Sequence, residues 1–191
     1  MKPQNSGQHR PGLHRPGQHR PALREALERR VLVLDGAMGT QIHAANLDLV
    51  RDYDGHENCV DIVSVTRPDV IQRIHETYLE AGCDVVETNT FGAMPHVLSE
   101  FGIEARCREI NRTAAQVARA ACDKLSTPNR PRFALGSMGP GTKLATLGHT
   151  GYDALKSSYR DQARGLIEGG VDGFLIETCQ DPLQIKAAVN G

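Results

Sequence analysis

Apolar residues along this chain gather in four short unbroken runs, and each run ends on small or polar residues. Val31-Leu32-Val33-Leu34 leads into Asp35-Gly36, and Val85-Val86 leads into Glu87-Thr88-Asn89-Thr90. Phe133-Ala134-Leu135 leads into Gly136-Ser137-Met138-Gly139-Pro140, and Phe174-Leu175-Ile176 into Glu177-Thr178. Continuous rather than alternating apolar runs are what strands of a parallel sheet need when both faces are covered. Between them the period lengthens to that of a helix. Val70, Ile71, Ile74, Tyr78 and Ala81 form one stripe, stopped by Gly82, and Ile110, Ala114, Val117, Ala121 and Leu125 form a second. A third comprises Leu155, Tyr159, Ala163, Leu166 and Ile167, and ends at Gly169-Gly170. A short helix over 22–30, with Leu23, Ala26 and Leu27 on one face, precedes the first run, and a last helix opens at Asp181-Pro182. Thr66-Arg67-Pro68-Asp69 reads as a capping box with proline in the first turn. Strand alternating with helix four times over predicts an α/β domain with a parallel sheet, either a barrel or a doubly wound fold.

Residues 7–21 stand apart as a five-residue repeat, Gly-x-His-Arg-Pro. Proline at every fifth position forbids a continuous helix, and there is almost nothing apolar to bury. A disordered extension over 1–21 is expected; a tail using His9, His14 and His19 for a metal or an anionic partner is the other reading. The whole chain has a net charge of -1, but residues 1–30 carry +5 and the remainder -6. A mildly acidic body argues against nucleic-acid binding by the domain. No apolar run approaches the ~18–20 residues of a membrane span. Five cysteines, at 59, 83, 107, 122 and 179, show neither disulfide-framework nor close metal-ligand spacing, so a reducing cytoplasm is expected.

In parallel α/β folds ligands lie beyond the carboxyl ends of the strands. Asp35, Glu87 with Asn89, Ser137 and Glu177 all stand there, which points to one shared site. Phosphate-binding motifs do not fit: Gly36-Ala37-Met38-Gly39 lacks the dinucleotide spacing, and Thr142 precedes Lys143 where a P-loop has the lysine first. His75-Glu76 has leucine at 79 in place of the second histidine of a zinc-protease helix.

The segments Asp-Gly-Ala-Met-Gly-Thr (35–40), Glu-Thr-Asn-Thr-Phe (87–91), Gly-Ser-Met-Gly-Pro (136–140) and Ile-Glu-Thr-Cys-Gln-Asp (176–181) resemble the homocysteine S-methyltransferase domain family. The likeness extends to the N-terminal domain of the cobalamin-dependent methionine synthases and covers roughly residues 24–191. It implies the first four βα units of a (β/α)8 TIM-type barrel over 22–191, incomplete in this chain. It also implies zinc-assisted methyl transfer to the homocysteine thiolate, giving methionine. A free thiol with a pKa of ~8.5 is mostly protonated at neutral pH, and zinc coordination removes that proton. By the resemblance Asp35 and Glu177 would hold the homocysteine amino group. Backbone near Gly36 and Ser137 would fix the amino-acid end, and Glu87 and Asn89 would support the pocket.

The family's zinc cysteines lie in Gly-x-Asn-Cys and Gly-Gly-Cys-Cys segments near the sixth and eighth strands. Neither segment occurs between Met1 and Gly191, so the metal ligands are expected beyond Gly191 and none within this chain. Zinc and methylcobalamin therefore belong to the intact family enzyme, and neither is expected on this chain alone, which is expected to be inactive. The implied partners are homocysteine, the remaining half of the barrel, and folate- and cobalamin-binding modules. Two alternatives stay open: a family member using S-methylmethionine or betaine as donor, and a non-catalytic half-barrel that binds an amino acid.

Overall fold

A computed structural model describes residues 23–191. The repeat tail therefore lies outside the described residues. Eight α-helices and three strands are described: α1 (Leu23–Arg29), α2 (Met38–Ala44), α3 (Val63–Thr66), α4 (Pro68–Ala81), β1 (Val85–Glu87), α5 (Pro95–Leu98), α6 (Cys107–Leu125), β2 (Phe133–Met138), α7 (Tyr152–Gly169), β3 (Gly173–Ile176) and α8 (Pro182–Asn190). The strands form one parallel sheet in the order β1-β2-β3, with Val85 opposite Phe133 and Leu135 opposite Gly173. This is the predicted α/β alternation, and the three main helical stripes fall on α4, α6 and α7.

The first apolar run is not a full strand. It meets β1 only through the bridge Leu34–Val85, supported by Asp84 N–H donating to Val33 O at 2.7 Å. The Val33 N–H goes to the Asp84 carboxylate at 3.0 Å instead of to a ladder carbonyl. Its outer side has no neighbouring strand among the described residues, which leaves Val31 85% and Val33 57% exposed. The opposite edge is similar, with Phe174 on β3 43% exposed. Unbroken apolar runs at both edges thus expose side chains that only a further strand or helix layer could cover.

Two faces of the sheet are packed differently. Val86 and Ala134 meet Leu79 of α4 and Ala118, Ala121 and Cys122 of α6 in one core. Val85 and Phe133 point to the other face, which α1 covers through Ala26. Helix α7 lies against α6 at very close range: a Cβ on Gly169 would come 2.3 Å from the Ala115 Cβ, and one on Gly165 2.7 Å from the Asn111 Cβ. Gly169 is therefore a contact residue, and Gly170, at φ +90, is the left-handed stop.

The capping box expected at 66–69 is replaced by other bonds. Thr66 ends α3, so its hydroxyl donates back to Ile62 O at 3.3 Å and to the Asp52 carbonyl. Arg67 is the N-cap of α4 without a side-chain cap, and its guanidinium holds Asp69 and Asp52. Pro68 does open α4, and Gly82, at φ +119, closes it. A true capping box occurs at Asp181: its carboxylate accepts from Leu183 N–H at 2.8 Å, while the Gln184 side chain accepts from the Asp181 N–H.

Candidate functional site

Side chains alternate across a strand. On β2 that places Phe133, Leu135 and Ser137 on one face. The register sets Glu87 opposite Leu135 and Leu175 opposite Ser137. Glu87, Ser137 and Glu177, two residues after Leu175, therefore share that face at the carboxyl end of the sheet. Ser137 donates its hydroxyl proton to Oε1 of Glu177 at 2.5 Å. Asp35 joins from the first run: its N–H donates to Val85 O at 3.0 Å, and its two carboxylate oxygens accept from the Glu87 N–H at 3.2 and 3.1 Å. The charge of Glu177 acts on the Glu87 carboxyl from the neighbouring strand end.

Three acids thus meet in a half-buried space. Among the described residues none of the three forms an ion pair with a lysine, arginine or histidine; arginines and a lysine pair instead with acids such as Asp52, Asp84 and Glu76. Burial pushes the Asp35 carboxyl up to about 7, against the opposing Glu87 N–H and with the charges of Glu87 and Glu177 adding to the rise. Burial also raises Glu87, and the charge of Glu177 adds to the rise. An acid surrounded by acids in a desolvated place favours its protonated form.

A second layer fixes the ends of β1 and β2 together. Thr90 donates to Ser137 O at 2.7 Å, Thr88 lies 2.6 Å from Thr90, and Ser137 N–H donates to the Thr88 hydroxyl at 3.1 Å. Gln162 of α7 reaches in to donate to Thr90 O at 2.7 Å. Asn89 faces the framework: its amide donates to Val60 O at 2.8 Å and to the Ser64 hydroxyl at 3.1 Å. Gly36 is exposed, and a Cβ there would stand 3.3 Å from the Tyr78 ring, whose hydroxyl donates to Ala37 O. Thr178 has φ +57, an outlier for a β-branched residue, and it turns the chain directly after Glu177.

Sequence reasoning does not single out Thr88, Thr90, Gln162 or Thr178 as site residues. Gln162 carries a usable signal, since it stands one turn from Leu166 and Ser158 on the buried side of α7. Nothing local announces the backbone of Thr178. A cavity of about 310 Å³ lies away from the carboxyl cluster, among residues that include His43, Leu47, Leu49, Tyr53 and Asn58.

The cysteines do not make a metal centre. Cys59, Cys83, Cys107 and Cys122 are buried, and burial pushes their thiols up to about 11, 11, 12 and 12. Cys83 precedes β1, at the end opposite the acids, and Cys107 and Cys122 sit on α6. Cys179 follows Glu177 and is half-buried. Among the described residues no three His, Cys, Asp or Glu side chains are grouped to hold an ion, so the donors present do not fit a zinc site. Gly191, beyond which the sequence reading puts the zinc ligands, has a purely structural place. It is the C-cap of α8, where its N–H donates to Ala187 O at 3.0 Å and its carbonyl accepts from Arg160 Nε at 3.2 Å. Those bonds tie the end of α8 to α7 and bring Gly191 to none of the three acids. Nor is any described helix long and apolar enough to cross a membrane.

A family model described as homocysteine S-methyltransferase matches residues 32–191. The methionine synthases of Mycobacterium tuberculosis (strain ATCC 25618 / H37Rv) and Mycobacterium leprae (strain TN) are 51% and 50% identical over 169 residues. That is 88% of this chain but 14% of either relative, so the chain spans about a seventh of their length. Among solved structures, the homocysteine methyltransferase MmuM from Escherichia coli in its oxidized form aligns with a TM-score of 0.72 at 25% identity, covering 86% of this chain and 59% of that one. Its metallated form gives a TM-score of 0.71 at 24% identity, covering 86% and 60%.

Proposed function

From the membership of this chain in the homocysteine S-methyltransferase family, we propose that it supplies the amino-acid-binding part of a site that methylates homocysteine to methionine. Residues 22–191 form the first four βα units of a (β/α)8 barrel, and further units close it. The observation that carries the reading is the cluster of Asp35, Glu87 and Glu177 at the strand ends, with no cationic partner among the described residues. An ammonium group is what such a cluster lacks, and charge-assisted hydrogen bonds are the strong ones. Asp35 and Glu177 hold the ammonium, Ser137 fixes the rotamer of Glu177, and backbone near Gly36 and Ser137 meets the carboxylate end. Glu87 completes the acid wall, and Asn89 anchors the loop beneath it.

Zinc in this family would turn the substrate thiol into a thiolate. The described cysteines do not fit that ion, so its ligands are assigned to the closing units beyond Gly191 and no step is routed through them here. Methylcobalamin, with folate- and cobalamin-binding modules, goes with the methionine synthase likeness at 51% identity. The similarity to MmuM keeps a second reading in view, in which the methyl donor is a small molecule such as S-methylmethionine. Residues 23–191 by themselves are expected to lack methyl transfer.

The test is Glu177→Gln in the full-length protein with its barrel complete. Losing one charge-assisted hydrogen bond of ~1.5–3 kcal/mol weakens homocysteine binding by roughly 10–200-fold. Calorimetry reads the affinity, and mass spectrometry of the same sample should find the zinc content unchanged. A variant with lowered melting temperature and intact affinity would remove Glu177 from the site.

A further inference from the structure

Phe91, four residues beyond β1, leaves its ring half open at the carboxyl rim of the sheet, 45% exposed. Its backbone is nevertheless pinned on both sides. Thr90 before it donates its hydroxyl to Ser137 O at 2.7 Å, and the Thr90 carbonyl accepts from Gln162 of α7 at 2.7 Å. Gly92 after it donates its N–H to the Asp61 carboxylate at 3.0 Å. The carbonyl of Phe91 itself accepts from Gly139 N–H at 3.2 Å. A lone apolar side chain at a surface is ordinary, but one whose backbone is fixed by buried partners from three directions is held in position ahead of any ligand.

The alternation of β2 says which face the ring covers. Ser137 faces the acids, Met138 turns back into the core with Leu155, Tyr159 and Leu166, and Gly139 returns to the acid face. The parallel register still holds there, since Glu177 N–H donates to Met138 O at 3.2 Å. A Cβ on Gly139 would stand 2.9 Å from Cδ2 and 2.9 Å from Cε2 of Phe91. The ring therefore fills the place of a Gly139 side chain, on the acid face. It lies two residues beyond Ser137, or about 6–7 Å along the strand direction, and Ser137 is the residue that holds Glu177. An amino acid whose ammonium sits at Asp35 and Glu177 finds this ring about one side-chain length further out.

Resting on the reading of this rim as the seat of an amino acid's ammonium group, we propose that Phe91 is the specificity wall of the site. The side chain of the bound amino acid lies along its ring, which favours an unbranched apolar or sulfur-bearing chain over a short one. A half-open ring loses its contact with water when such a chain covers it, and sulfur makes a favourable contact with an aromatic edge. Gly139 belongs to the same device, because any side chain there would displace the ring. The ring carries no charge, so it sorts amino acids by side chain and leaves the hold on the ammonium to the acids.

Methionine and alanine are the probes, because they share one ammonium and one carboxylate and differ only in the side chain that would reach the ring. The full-length protein and its Phe91→Ala variant are titrated with each by calorimetry. The unaltered protein should prefer methionine. In the variant, methionine affinity should fall by roughly 2–12-fold, the range that loss of a sulfur–aromatic contact implies, while alanine affinity stays within about twofold. Should that variant fail to fold, Phe91→Leu keeps apolar volume against Gly139 and should lower the same methionine-to-alanine ratio by less. An unchanged ratio with a lowered melting temperature means that the ring only covers Gly139, and overturns the proposal. So does an equal loss for both ligands, or an unaltered protein that does not prefer methionine; each leaves the ammonium site standing. If neither amino acid binds the unaltered protein, the ammonium site itself is refuted and the wall with it.

Discussion

His75 sits wholly inside the protein on α4, and neither ring nitrogen has a hydrogen-bond partner. Burial holds its pKa down at about 4, against an ordinary 6.5. Between those two values the unfolded chain takes up a proton at this residue and the folded chain does not. Stability at this site therefore falls as pH drops from 6.5 toward 4, by up to about 3 kcal/mol. Asp35 and Asp61 work the other way: their folded values are raised, to about 7 and about 6, so they favour the folded state at low pH and lose that contribution as pH climbs through them. The histidine contribution is isolated by comparison: His75→Leu should melt with a shallower loss between pH 6.5 and pH 4 than the unaltered protein. Parallel pH dependence in the two would refute this account. The same scale explains what can be read in advance. Asp35, Glu87, Ser137 and Glu177 are legible because each interrupts or follows an apolar run. The direction of Asn89 is not, since its partners Val60 and Ser64 lie 29 and 25 positions away. Glu177 could be a cap for the last helix by sequence alone, but Asp181 fills that place.

Among elements, the pairing of α6 with α7 depends on missing side chains. Alanine is normally better than glycine inside a helix by up to ~1 kcal/mol. At Gly169 that preference reverses, because the added Cβ would meet the Arg112 carbonyl at 2.5 Å as well as the Ala115 Cβ at 2.3 Å. Overpacking of this kind costs typically ~1–3 kcal/mol, so Gly169→Ala should lower the melting temperature rather than raise it. A gain in melting temperature would mean that the two helices can part at little cost. Helices are the easier elements to foresee, since their stripes repeat over many turns. The first strand is not, because its partner on one side is absent from the described residues and Asp84 takes over a ladder bond. Thr66 misleads for a related reason: a helix of four residues ahead of α4 captures its hydroxyl.

At the scale of the molecule, the three-stranded sheet with its bridged first run has two open sides, one at Val31 and Val33 and the other at Phe174. Exposed apolar edges of a parallel sheet invite pairing with another chain. The 191-residue polypeptide by itself should therefore self-associate or melt broadly; a monomer by light scattering with one sharp, cooperative transition would contradict this. The two ends of the sheet differ as much as its sides. Where the strands begin, Arg30 clasps Asp84 through two bonds of 2.7 and 2.8 Å, Arg132 stands 3.8 Å from the same acid, and Arg119 pairs with Asp172. The two aspartates repeat one device, since Asp84 accepts from Val33 N–H and Asp172 from Ala134 N–H at 2.8 Å. Where the strands end, the acids have no such company among the described residues. The arginine-bound end joins the starts of the strands to one another, so alterations there put the packing of the sheet at risk. If the acid end holds an ammonium group as proposed, a single lysine introduced beside Glu177 would fill that place from within, leaving a protein that folds but no longer takes up the amino acid.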